Sequence, residues 1–383
     1  MAAIGLVLTA FGLNRLVTHV ERVVDADGRR PLLASLQRDR PGPARIRVVA
    51  IGGGHGLASA LRGLKVYCDS VTAIVTVADD GGSSGRLRRD LGVVPPGDIR
   101  NCLAALADEE ELLTTLFEYR FADGELAGHS FGNLFLTAMA DIAGDFEEGV
   151  RAASKVLAVR GQVLPVSLDA ITLVAHMADG QEIIGESAIT AAGGQIVQLR
   201  LEPDAPLPLP DALQAIMAAD VILIGPGSLY TSILPNLLVP GITAAIRHSK
   251  AAKLFVCNVM TQPGETSHYT ASDHLAALSR HLGSTLVDAI LVNDHPPTVL
   301  RAQYEANGSV PVVIDADALA AMHVQVVLGG LLWEGDRVRH DSDKLARAIL
   351  GWVEGRLNLK LLPRRWGSGP LSQTAPADLR PSR

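Results

Sequence analysis

The chain has 383 residues, 48% of them apolar and only 4% aromatic, enough to bury one large core or two closely joined ones. A net charge of −7 gives no global basic field, which excludes nucleic acid held by bulk charge, so any anionic ligand must be held by local geometry. The cysteines Cys68, Cys102 and Cys257 are odd in number and widely spaced, as suits reduced thiols in a cytoplasmic protein, and the eleven histidines follow no zinc-binding spacing.

In chain order, the apolar stretch Ala2 to Leu13 is interrupted by Asn14, Arg15, His19, Glu21 and Arg22 before the roughly 18 to 20 residues a bilayer span requires. It also lacks the basic leader and cleavage pattern of a signal peptide. Residues 1–45 are therefore expected to form an amphipathic extension, limited to weak contact with a membrane surface, ending in a linker around Pro41-Gly42-Pro43. A single nucleotide-binding domain is expected over 46–360, and a disordered tail over 361–383, where apolar groups are few.

Arg45 to Ile51 has the pattern of a strand that stops in Gly52-Gly53-Gly54-His55-Gly56, after which Leu57 begins a helical pattern. A strand, a glycine turn and a helix start bring bare N–H groups together with the positive end of a helix dipole, a device for holding phosphate. The spacing is neither a dinucleotide fingerprint, whose last glycine would fall at Leu57, nor a P-loop, which needs Gly-Lys-Ser/Thr.

A second strand, Val71 to Val77, runs into Asp79-Asp80-Gly81-Gly82-Ser83-Ser84-Gly85-Arg86. Asp79 or Asp80 suits ribose hydroxyls, and Asp80 suits Mg²⁺, while Gly81, Gly82, Ser83 and Ser84 suit a phosphate whose charge Arg86 neutralises. The same string spells G-x-S-x-G, but its two carboxylates oppose a serine oxyanion and no histidine lies nearby in sequence. Next, Pro95 to Asn101 enters a helix with Asp98 as a cap and Arg100 and Asn101 as donors, and Gly128 to Asn133 offers His129 and Asn133 before another helix.

Helical patterns occupy 101–158, over Cys102 to Ala107, Glu109 to Tyr119, Asn133 to Met139 and Gly149 to Val159. Val163 to His176, Ile183 to Ile189 and Ile196 to Leu201 have the pattern of short strands in an antiparallel insertion at about 160–210, which the four prolines from Pro203 to Pro210 link back to the main sheet. Val221 to Ile224 leads into a second anion-binding turn, Gly225-Pro226-Gly227-Ser228, followed by Thr231 and Ser232. Leu254 to Val259 and Leu286 to Val292 complete the strands. The fold class is α/β, a Rossmann-like doubly wound, mainly parallel sheet with a helical segment and a small β insertion, its polar loops gathered into one cleft at the carboxyl ends of the strands.

These loops resemble the gluconeogenesis factor family, the YvcK/GlmR proteins, whose fold is shared with 2-phospho-L-lactate transferases. The resemblance is carried by Gly52 to Gly54, Thr76 to Arg88, Pro95 to Asn101, Gly128 to Ser130 with Gly132 to Leu134, Ile224 to Asn236 and Cys257 to Thr266. It implies a cytoplasmic homo-oligomer that binds UDP-N-acetylglucosamine or a related UDP-sugar, needs no cofactor, and regulates carbon flow into cell-wall precursors and cell shape. Glucosamine-6-phosphate synthase is the implied partner. The late Arg-His-Asp of the family matches Arg339-His340-Asp341, with Arg339 implicated in UDP-sugar binding, and Asn258, Thr261, Gln262 and Glu265 are assigned the remaining ligand edges. His55 departs from the threonine of many relatives.

The alternative is a nucleotide-dependent transferase of phospholactate or uridylyl type, with Asp80 on Mg²⁺ and Arg86, Arg100 or Arg339 stabilising transferred charge. Binding of NAD(P) without hydride transfer is a third reading, weakened by the missing fingerprint.

Overall fold

The structure, a computed structural model, describes residues 46–108 and 110–359. The amphipathic extension, its linker and the C-terminal tail lie outside the described residues.

Strands β1 (Arg47–Gly52), β2 (Ser70–Val75) and β3 (Gln162–Pro165) open the main sheet. An insertion follows with β4 (Thr172–Met177), β5 (Glu182–Ile184) and β6 (Ile196–Glu202), and the chain returns through β7 (Val221–Ile224), β8 (Ala252–Val256), β9 (Ala289–Asn293) and β10 (Gln325–Gly329). The seven main strands are parallel, in the order β10-β9-β8-β7-β1-β2-β3. Helices cover both faces, so central strands are apolar without alternation: all four residues of β7 are buried, as are Val48 to Ile51 of β1. A final hairpin pairs β11 (Leu332–Glu334) with β12 (Val338–His340).

From β1 the chain winds outward through β2 to β3, then returns to the other side of β1 and winds the opposite way through β7 to β10. The winding therefore reverses between β1 and β7, whose carboxyl ends carry the two predicted glycine turns. A doubly wound sheet splays its loops apart at such a reversal and leaves a crevice there.

The predicted α/β class holds, with local corrections in the insertion. Val163 and Leu164 belong to β3 of the parallel sheet, not to the antiparallel insertion, because the chain turns at Ser167, whose hydroxyl accepts from the Asp169 N–H at 3.0 Å. Ile183 to Ile189 is not one strand: β5 ends at Ile184, Gly185 takes φ +99°, and the helix Glu186–Ala192 follows. The sheet β5-β4-β6 is antiparallel as expected. Among the described residues, no single helix is long and apolar enough to cross a membrane.

Candidate functional site

The two glycine turns touch. A Cβ on Gly56 would lie 2.8 Å from the Pro226 carbonyl oxygen and 3.0 Å from Gly227 Cα, so this approach of backbone to backbone needs glycine. Gly54 takes φ +61° where strand becomes helix. The contact is braced from beneath by Asn236, whose Nδ2 donates to the Gly52 carbonyl at 2.9 Å and the Ser232 carbonyl at 2.7 Å. Glu265 supports the second turn: its carboxylate accepts from the Tyr230 N–H at 3.2 Å and the Thr231 hydroxyl at 3.0 Å. In front of both turns opens a cavity of about 600 Å³.

On the β2 side the cavity is acidic. Asp98 was expected to cap its own helix, Gly97–Leu106, yet that helix has Pro96 at its N-cap and no side-chain cap. The Asp98 carboxyl instead accepts from the Gly54 N–H and fills the space that a side chain on Gly53 would need. The first turn thus already holds a carboxyl group at the start of the helix Gly54–Tyr67. Desolvation, reinforced by the charge of Asp79, pushes Asp98 up to about 7. Glu186, at the start of the insertion helix, faces the same space, and desolvation together with Asp79, Asp98 and Asp80 pushes it up to about 8.

Arg100 stands beside these acids, 7% exposed, with neutral partners: Nη1 donates to Ser130 Oγ at 2.8 Å and Asn133 Oδ1 at 3.0 Å, and Nη2 to Asn101 Oδ1 at 2.8 Å. Its Nε is buried without a hydrogen-bond partner. A guanidinium satisfied by neutral oxygens keeps its positive field for whatever enters the cavity. Arg120 and Arg339 add two further cations to the lining.

A histidine for the serine loop comes from a distance. Ser83 Oγ lies 3.0 Å from His129 Nδ1 and accepts from the Ser130 N–H at 3.4 Å. Burial and the charge of Arg86 lower the His129 pKa, which favours the neutral ring, an acceptor for the serine hydroxyl.

Of the sequence-predicted residues, the cavity brings together Gly53, Gly54, His55, Gly56, Asp79, Gly81, Gly82, Ser83, Ser84, Asp98, Arg100, Asn101, Asn133, Gly227, Ser228, Asn258, Gln262 and Arg339. The others stand behind its wall. Gly52 and Gly225 lie beneath the turns, and His129 reaches the cavity only through Ser83. Thr261 Oγ1 accepts from the Val310 N–H at 2.9 Å, Glu265 supports the second turn, and Arg86 packs against Gly128. Asp80, the expected Mg²⁺ ligand, accepts from the Ser187 N–H at 2.9 Å and anchors the insertion helix; Asp79 and Glu186 are the carboxylates that flank it on the cavity side.

Sequence reasoning missed Thr76, Arg120, Glu186, Val259, Met260 and Val338, which also line the cavity. Thr76, Val259 and Met260 sit inside strings already singled out. Arg120, Glu186 and Val338 stand in no motif, and only tertiary folding brings them in.

The family described as 2-phospho-L-lactate transferase CofD matches residues 48–332. The gluconeogenesis factor of Halalkalibacterium halodurans is 53% identical over 79% of this chain and 95% of its own length. That of Bacillus subtilis is 50% identical over 79% of this chain and 97% of its own. A crystal structure of a Bacillus halodurans protein superposes with a TM-score of 0.78 at 51% identity, covering 80% of this chain and 100% of that one. A family match over most of the domain, a superposable fold and identity of this extent have one reading: the chain belongs to the gluconeogenesis factor family, on the CofD fold.

Proposed function

We propose that the cavity binds a UDP-sugar, UDP-N-acetylglucosamine foremost, and that the occupied protein regulates carbon flow into cell-wall precursors and cell shape. The observation that carries this reading is the pair of touching glycine turns at the reversal of the sheet, faced by Arg100, Arg120 and Arg339 in a space of about 600 Å³. A diphosphate fits between the glycine turns and the guanidinium groups of Arg100, Arg120 and Arg339 that line the cavity. A nucleoside and a sugar then extend to either side. The implied partner, glucosamine-6-phosphate synthase, would sense a change in the surface around the filled cavity.

Isothermal titration of the full chain with UDP-N-acetylglucosamine, followed by recovery of the ligand, tests this. Saturable binding with intact ligand is expected; no binding with or without Mg²⁺ would overturn it.

A second reading, transfer of a phosphoryl-linked group, is favoured by the acidic side. Asp79, Asp98 and Glu186 line the cavity, and desolvation, with the charge of neighbouring acids added to it, raises Asp98 and Glu186; a cation would offset both. Mg²⁺ takes one or two carboxylates together with phosphate oxygens, so these residues fit it better than Asp80 does. When bound, the ion would polarise a phosphoryl oxygen. Arg100 and Arg120 would then hold the transferred charge, and the Ser83–His129 pair would accept a proton from an attacking hydroxyl. Consumption of the ligand in the same titration would mark this reading.

A further inference from the structure

Two helices leave an apolar face uncovered among the described residues. The helix Glu110–Glu118 buries only Phe117. Leu112 is 69% exposed, Leu116 42% and Tyr119 55%. They stand at i, i+4 and i+7, so they form one stripe. Tyr119 continues the helical path, since its N–H donates to the Thr115 carbonyl at 3.1 Å. The helix Phe131–Ala143 returns alongside: an antiparallel bridge joins Arg120 to Ser130, and the Phe117 ring lies 6.3 Å from Phe131 and 5.5 Å from Phe135, centre to centre. Ile142, 80% exposed, is two turns beyond Phe135 on the same side of that helix. A single exposed leucine needs no explanation, but large apolar groups gathered on a two-helix face mark a docking surface.

The charge around this face decides what can cover it. Residues 108–148 carry eleven Asp and Glu against one Arg, more negative charge than the whole chain has net. Glu111 and Asp141 adjoin Leu112 and Ile142, and Glu118, Asp123 and Glu125 flank Tyr119 in sequence; all five are exposed, and none forms a salt bridge among the described residues. A second copy brought up by a two-fold axis would set these acids against their own counterparts, and an anionic membrane surface would be repelled likewise. A partner that carries Lys and Arg beside an apolar stripe meets neither obstacle.

We infer that the face formed by the helices Glu110–Glu118 and Phe131–Ala143 is an interaction surface for a basic amphipathic helix of another protein. Two antiparallel helices accept a third in the groove between them. Its apolar residues at i, i+3 or i+4 and i+7 would pack on Leu112, Leu116, Tyr119 and Ile142, while its Lys and Arg reach the surrounding acids. Apolar contact supplies the affinity, and charge supplies orientation and selection. The surface goes beyond the ligand reading above and requires nothing in the cavity.

The probe is a synthetic peptide of about 18 residues, or five turns, made of Leu and Lys with the leucines on one helical face, titrated with the full chain by fluorescence anisotropy. Two controls accompany it: a scrambled Leu/Lys peptide with no apolar face, and the same leucine pattern with Glu in place of Lys. Saturable binding about tenfold or more tighter than either control is expected, weakening as salt rises. Leu116→Gln and Ile142→Gln, at exposed sites and without change of charge, should together weaken it about tenfold while circular dichroism stays that of the parent. No saturable binding of the Leu/Lys peptide, equal binding of the scrambled one, or undiminished binding by the variants overturns the inference. So does self-association in sedimentation, or attachment to vesicles containing phosphatidylserine, that Leu116→Gln abolishes, since a second copy or a membrane would then be the occupant.

Discussion

Asp98 and Glu186 are held at pKa values where a carboxyl group is ordinarily ionised, and this couples the cavity to pH. Desolvation is the first cause for both, and the remaining acids of the cavity add to it. A carboxyl whose pKa is higher folded than unfolded binds its proton more tightly in the folded state. Its stabilising contribution is therefore complete below about pH 4 and drains away as the pH climbs through 7 and 8. Glu186→Gln, which keeps the shape without the charge, is expected to melt roughly 2–4 °C above the parent at pH 8.5 and to lose that advantage near pH 4. Scanning calorimetry across this range decides it; superimposable curves at pH 8.5 would mean that Glu186 ionises there without strain. The same residues show what sequence can convey. Asp98 stood out as a helix cap, and it is one, but for the helix Gly54–Tyr67 rather than its own. Glu186 gave no sign at all, since its place among the acids depends on a helix that Asp80 anchors from over a hundred residues away.

Among elements, the β11–β12 hairpin is the part least visible in the sequence and the part that completes the cavity. Its strands have three residues each, too short for a periodic signal, and β10 before it is only partly buried. The main strands were legible because central parallel strands are unbroken apolar runs that end in glycine. The hairpin is tethered by Glu334, whose carboxylate accepts from the N–H groups of Thr298, Val299 and Leu300 at 2.9 to 3.1 Å. The Arg339 guanidinium carbon lies 4.1 Å from the centre of the Trp333 ring, and its Nη2 reaches Asp336 at 3.3 Å. A diphosphate offers that guanidinium a stronger bidentate partner than a half-buried ring and an exposed carboxylate do. Nucleotide binding is therefore expected to change tryptophan fluorescence, and Trp333→Phe should abolish the change while leaving affinity within a few fold. A signal that persists in the variant would place its source at another tryptophan.

Across the whole molecule, the first and last described helices are packed together at a glycine. A Cβ on Gly63 would collide with the Ser342 carbonyl oxygen and lie 2.8 Å from the Ala346 Cβ. That contact fixes the start of the helix Ser342–Leu357, which Asp341 caps by accepting from the Asp343 and Lys344 N–H groups at 3.0 Å. The Arg-His-Asp string thus divides its work: Asp341 fixes the helix while Arg339 and His340 line the cavity. Gly63→Ala is expected to cost about 1–3 kcal/mol of stability by overpacking, read from urea unfolding. A loss within error would show that the two helices can separate freely.

The centre of the cavity is built from the parallel sheet itself, where two backbones meet and no side chain can be exchanged at Gly56. Its ends are built from additions: the antiparallel insertion supplies Glu186 on one side, and the terminal hairpin supplies Arg339 and His340 on the other. Neither addition belongs to the main sheet. Diversification can then proceed at the margins, with either appendage rewritten while the glycine-turn middle and the folding core stay as they are.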